Sequence, residues 1–260
     1  SSQNKLMKNN IFNLLGSLIA FYIPVQIAYL TGSESVIKAV LLAFLIQWIC
    51  FIPAYILQTE KFYDLTGSVT YLTLIIFSIF SADYLGFASV IVCACVSVWA
   101  VRLGSFLFFR IKKDGEDKRF RSIKTNFTRF FMTWTLQGMW VTMCLLCVTT
   151  ALSAEGGIIE GVGFYLGLIV FIIGFGLEVA ADMQKTRFRK NPENKEKFIS
   201  TGLWAKSRHP NYLGEIILWL GVALMSMESL EGVEYITLIS PLFVYILLVY
   251  ISGVRMLENS

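Results

Sequence analysis

Eight runs of mostly apolar residues, each close to the length of a membrane crossing, leave this chain few folds to choose from. They cover residues 11–30, 36–57, 66–82, 84–109, 130–152, 158–181, 212–229 and 235–254. A helix needs about 20 such residues to cross the hydrocarbon core, and within lipid only helices and closed barrels satisfy their own backbone. The remainder cannot form a large soluble domain: 15% of the 260 residues are charged, against about a quarter in a soluble globular protein. The third run is short and the second contains Pro53, so seven spans plus a re-entrant or tilted element is the alternative count. The start lacks the small-residue cleavage site of a signal peptide, and the first helix is expected to be retained. The predicted fold is an all-α, polytopic membrane bundle of 7–8 transmembrane helices forming one domain over residues 1–260, in a bacterial inner membrane or an endoplasmic reticulum.

Charge gives the expected orientation. Residues 110–129 hold eight Lys or Arg, and residues 185–208 hold another eight. The opposite connections, around Glu34, Asp83, Glu155 and 228–234, are nearly free of basic residues. With eight helices both basic loops and both termini fall on one side, which the positive-inside pattern makes cytoplasmic. The net charge of +4 comes from these loops, and no basic domain outside the membrane suggests nucleic-acid binding. Cys50, Cys93, Cys95, Cys144 and Cys147 all lie in apolar runs and read as small packing residues. With one histidine in the chain, no metal site is expected.

Charged residues within a span are costly and mark candidate functional positions. Arg102 lies two turns inside the fourth span, eight residues before Arg110, on roughly the same face. Both can be read as side chains snorkelling to the interface, or as site residues. The sixth span ends "GFGLEVAADMQKTRFRK", where Glu178 and Asp182 are four apart and Lys185 and Arg189 continue the stripe. An intrahelical acid–base ladder accounts for that spacing, but carboxylates so deep need partners from other helices, and Arg102 lies at a similar depth. The seventh span opens with "SRHPNYLGE", the only segment with a histidine. Pro210 suits a first helical turn, and Asn211 and Glu215 project from one face. Arg208, His209 and Tyr212 flank them, His209 with the alternative of a plain interfacial role. "GFG" and "GVGFYLG" follow no strand and are rejected as a dinucleotide fingerprint; small residues at such spacing permit close helix packing. No nucleophile elbow accompanies the histidine. The pattern is a pocket at the cytoplasmic membrane face, with carboxylates and amides inside and bases at the rim. It suits a phosphate-bearing cofactor with ribose or amide groups, beside a lipophilic substrate from the bilayer.

The segment "TGLWAKSRHPNYLGEIILWLGVAL" closely resembles the C-terminal signature of the steroid 5-alpha-reductase-like membrane reductases. "LQGMW" at 136–140, "GFGLEVAADMQKTRFRK" and "SGVRMLE" at 252–258 extend the resemblance. It implies NADPH-dependent reduction of a carbon–carbon double bond conjugated to a ketone. It also implies that Glu178, Asp182, Arg189, Asn211, Glu215 and Arg255 hold the cofactor, to which the residue reading adds Arg102, Arg110, Lys185, Arg208, His209 and Tyr212. The family's acid follows the second helix, where Asp64 or Glu60 matches. Its tyrosine, three residues before the fourth-helix arginine, is replaced by Trp99, which donates a hydrogen bond but supplies no proton; Tyr63 is the alternative hydroxyl. "RHPNYLGE" is shared in looser form with membrane methyltransferases, so an S-adenosylmethionine-dependent enzyme is the rival reading. The long acid–base stripe favours the reductase, because a nucleotide with an extra phosphate needs more cations. A transporter or assembly factor would carry its charges near mid-membrane, not at one face.

Overall fold

The computed structural model describes residues 1–251, with side chains as far as Val249; Arg255 and the segment 252–258 lie outside the described residues. The chain runs through α1 (Ser2–Thr31), α2 (Glu34–Ile56), α3 (Tyr63–Ser81) and α4 (Phe87–Asp114), then a single turn α5 (Phe120–Ile123). It continues through α6 (Phe127–Ser153), α7 (Val162–Lys190), α8 (Pro210–Met227) and a short α9 (Ser240–Ile246). No strand occurs among the described residues. Eight helical segments are long and apolar enough to cross a membrane, which makes this a multi-pass integral membrane protein. The eighth, Gly232–Val249, begins with tight 3-10 turns over Gly232–Ile239 and becomes α-helical only at α9.

Three helices overrun their apolar sequence in ways that matter for the site. α3 starts at Tyr63, so Asp64 sits in its first turn. α4 runs on to Asp114 and carries Arg102 and Arg110 on one continuous rod. α7 begins at Val162 and stays helical to Lys190, so the stripe from Glu178 to Arg189 keeps its helical spacing.

α6 is the central post. From Val141 to Leu152 every side chain is buried, the pattern of a helix surrounded by other helices. It packs against α1, α2, α3, α8 and α9. α7 and α8 form the most intimate pair, through four glycines. A methyl group on Gly214 would come within 2.6 Å of the Glu178 amide nitrogen, and one on Gly221 within 2.6 Å of the Gly167 carbonyl oxygen. Without Cβ atoms the two backbones touch directly, as small residues allow in membrane helices, where packing rather than hydrophobic exclusion drives association. This seam fixes α8 against α7 in one register, with Asn211 and Glu215 opposite Asp182 and Glu178.

A larger side chain at Gly214 has no flexible neighbour to displace. Gly214→Ala should therefore destabilise the protein by roughly 1–3 kcal/mol through overpacking, read as a lowered unfolding midpoint in detergent. Gly176→Ala, on the partner helix α7 with open space around it, should leave the midpoint unchanged.

Candidate functional site

The end of the bundle that carries the basic loops holds a charge cluster contributed by α4, α7 and α8. Arg102 of α4 donates from Nη1 to Asp182 Oδ2 at 2.8 Å and from Nη2 to Glu178 Oε1 at 3.0 Å. Trp99, one turn before Arg102, donates its indole N–H to Glu178 Oε2 at 3.0 Å. Asn211 of α8 donates from Nδ2 to Asp182 Oδ1 at 3.3 Å. Phe106 and Phe175 flank the guanidinium at 5.7 and 6.0 Å. Glu215 lies in the same cluster, 7% exposed, and accepts no hydrogen bond among the described residues. Three buried carboxylates thus face one guanidinium. Two further polar atoms here, Arg102 Nε and Asn211 Oδ1, are buried without a partner. Buried polar groups are normally satisfied, so this group of unmet donors and acceptors is the candidate site for a polar ligand.

Bases surround the mouth. Lys185 lies over the Trp204 ring at 5.0 Å, within electrostatic reach of Arg110 and Arg189. Arg110 sits over Phe106 at 5.9 Å and forms no ion pair among the described residues. Arg189 is turned toward the loop after α7, donating to the Lys197 carbonyl oxygen at 3.0 Å. Arg208 is exposed in the segment leading into α8. His209 stacks on Tyr212 with ring centroids 5.2 Å apart and planes 12° from parallel. Tyr212 in turn lies within reach of Glu215, Arg119 and Arg110.

The four candidates for the reacting end have distinct environments. The Glu60 carboxylate is fully engaged: Oε1 accepts from the Asp117 amide and Oε2 from Lys124 Nζ, both at 2.9 Å. Gln58, in the left-handed region at φ 51, adds a bond from Nε2 to the Lys124 carbonyl at 2.8 Å. Together they staple the α2–α3 connection to the loop before α6. The Tyr63 hydroxyl donates to the Thr133 carbonyl at 3.0 Å. Trp99 is committed to Glu178. Asp64 is half-buried at the mouth, facing the charges of Arg119 and Arg110. Arg119 is positioned by a forked pair to Asp117, with Nη2 to Oδ2 at 2.6 Å. Burial alone would raise the Asp117 carboxyl, but that guanidinium holds it below its usual value.

The sequence reading missed one group here. Tyr71 is buried on α3, its ring perpendicular to Trp99 at 4.9 Å and stacked on Trp219 at 5.8 Å. Its hydroxyl makes no hydrogen bond to an oxygen or nitrogen; the Cys144 thiol, a weak acceptor, is within its reach, and Glu215 and Glu178 are close enough to act electrostatically. The available signal was its spacing: Tyr71 lies seven residues after Asp64, on the same face of α3.

A family model described as a protein of unknown function, DUF1295, matches residues 50–260. A stretch of 92 residues is 35% identical to the probable O-methyltransferase ustE of Ustilaginoidea virens, covering 35% of this chain and 32% of that protein. A stretch of 61 residues is 39% identical to 3-oxo-5-alpha-steroid 4-dehydrogenase 2 of Sus scrofa, 24% of each chain. Over 63 residues the chain is 35% identical to steroid 5-alpha-reductase DET2 of Gossypium hirsutum, again 24% of each. The chain therefore spans about a quarter to a third of the length of these curated relatives. No solved structure matches.

Removing the one guanidinium would leave two buried carboxylates uncompensated. Arg102→Gln should cost on the order of 3–5 kcal/mol, measured as a lowered unfolding midpoint. Adding Glu178→Gln to that variant should recover part of the loss, because one of the stranded charges goes with it.

Proposed function

The chain belongs to the DUF1295 family, and on that premise we propose that it is an NADPH-dependent membrane reductase. Its substrate would be a lipophilic molecule with a carbon–carbon double bond conjugated to a ketone. One observation carries the reading: the Arg102–Glu178–Asp182–Asn211 cluster leaves Glu215 and Asn211 Oδ1 without donors, beneath a rim of Arg110, Lys185 and Arg189. These residues fit a dinucleotide. Glu215 and Asn211 suit the N–H and O–H groups of a carboxamide and a ribose, and the rim bases suit phosphates. Glu178 and Asp182, oriented by Arg102 and Trp99, would line the same wall. When bound, the reduced nicotinamide supplies a hydride. Similarity to proteins named as steroid 5-alpha-reductases supports the same chemistry.

Tyr71 is the residue we assign to the substrate carbonyl. Its hydroxyl is buried beside the carboxylate cluster with no partner stronger than the Cys144 thiol. A hydrogen bond from Tyr71 Oη to the ketone oxygen would polarise the enone and steady the negative charge that builds on that oxygen, an effect worth most where water is excluded. Tyr63 is tied to Thr133 and Glu60 to Lys124, which leaves Asp64 at the mouth as the carboxylate next in line. The basic loops would face the cytoplasm, where NADPH is available.

Detergent-solubilised protein should gain thermal stability from NADPH. Glu215→Gln and Asn211→Ala should each weaken NADPH binding by roughly 1–3 kcal/mol, about 5- to 150-fold. Tyr71→Phe should leave that affinity intact and slow enone reduction by roughly 10²–10³. Stabilisation by S-adenosylmethionine and not by NADPH would instead select the methyltransferase reading that the similarity to ustE supports.

A further inference from the structure

On the same face of the bundle, away from the charge cluster, a second polar cavity lies between the start of α1 and the start of α6. It has a volume of about 260 Å³ and is lined by Asn9, Phe12, Asn13, Ser122, Asn126 and Arg129. We propose that it is a seat for the phosphate of an anionic phospholipid.

The lining chemistry is the first ground. It offers a guanidinium, a hydroxyl and three amides, and no carboxylate. Asn13 is 7% exposed and held by a 3.1 Å bond from Nδ2 to Thr128 Oγ1. Asn126 uses its carbonyl oxygen to cap the Arg129 amide at 3.1 Å. Its NH2 group, like the Asn9 side chain, has no partner among the described residues. The helix end is therefore already satisfied from within, and the cavity's donors belong to side chains.

Arg129 differs from three cations of the preceding loop that are spent on acids. In the preceding loop Arg119 pairs with Asp117, Arg121 with Glu116 and Lys124 with Glu60. Arg129 makes only a long bond from Nη1 to Ser122 Oγ, at 3.3 Å, and no ion pair among the described residues. A guanidinium beside neutral donors and no acid is complementary to phosphate.

The second ground decides the source of that phosphate. The cavity's apolar wall is Phe12, 70% exposed, and Leu15 and Ile19 continue the same face of α1 at 53% and 56% exposure. A head group in the cavity would thus lead its acyl chains directly onto an apolar stripe running into the bilayer. A free phosphate would have no use for that stripe. The seat also lies on the side where basic loops gather, toward which anionic lipid is drawn. An arginine merely snorkelling at the interface would need neither the cavity nor the amides.

The test is retention of lipid by the full chain in nanodiscs of phosphatidylcholine with and without phosphatidylglycerol, followed by native mass spectrometry. Phosphatidylglycerol should be retained in preference to phosphatidylcholine. Arg129→Gln should weaken that retention about tenfold, the equivalent of one charge-assisted contact. Asn9→Ala, whose side chain supports no other bond, should also weaken it, and carries the test if Arg129→Gln does not fold. Equal retention of the two lipids, or wild-type retention by both variants, would overturn the proposal. So would inorganic phosphate displacing the lipid at millimolar concentration, because the seat would then recognise free phosphate.

Discussion

A single guanidinium balances the charge at the centre of this protein's polar end. Arg102 reaches from α4 to both acids of α7, and no other cation among the described residues forms an ion pair with Glu178 or Asp182. Burying charge costs more than Coulomb attraction returns unless every lone pair finds a donor. Trp99 and Asn211 supply two of those donors, while Glu215 receives none. A bundle that needed only to be stable would do better with apolar side chains here, so the imbalance points to a ligand that completes the set.

The cluster exists only because α7 and α8 can approach so closely. Gly174 and Gly214 bring the α8 backbone against α7 within a turn of Glu178, and Gly167 and Gly221 repeat the contact farther along. With methyl groups in the seam, Asn211 would draw away from Asp182, and its 3.3 Å bond would be among the first lost. Two of the glycines that resembled a nucleotide fingerprint in the sequence, Gly167 and Gly174, therefore serve the charge cluster indirectly. They set the distance at which two helices present their polar faces.

Much of this was legible in the sequence, and the part that was not has a physical reason. Run length revealed the spans because lipid permits so few alternatives. Four-residue spacing paired Glu178 with Asp182 and Asn211 with Glu215, because a helix keeps that spacing whatever surrounds it. The meeting of Arg102 with the α7 acids followed from depth along the membrane normal, a coordinate that sequence position approximates well. Depth alone did not assign partners at the interface. Glu60 stood beside the preferred Asp64 as a match for the acid, and Tyr63 as the alternative hydroxyl, yet one is absorbed by Lys124 and the other by a backbone carbonyl, contacts that depend on how loops fold over. Tyr71 escaped notice because a tyrosine within an apolar run reads as packing, and its spacing from Asp64 gains meaning only once its hydroxyl is seen beside the carboxylate cluster. The irregular start of the eighth segment was hidden for a similar reason: hydropathy reports burial, not hydrogen-bond pattern.

The division of labour around α6 explains how two polar sites can share one small bundle. α6 is buried on all sides over three turns, so it separates the faces packed against it. On one side stand α3, α4, α7 and α8, which together supply the charge cluster and Tyr71, and all of them lie within residues 50–260 matched by the family. On another side stands α1, which lies before that match and is joined to the start of α6 by Asn13 and Thr128. A helix outside the shared region is free to acquire a role of its own, provided it does not disturb α6. Anchoring α1 through polar contacts at one end, with an exposed apolar stripe along the rest, meets that condition: α1 faces the bilayer rather than the charge cluster.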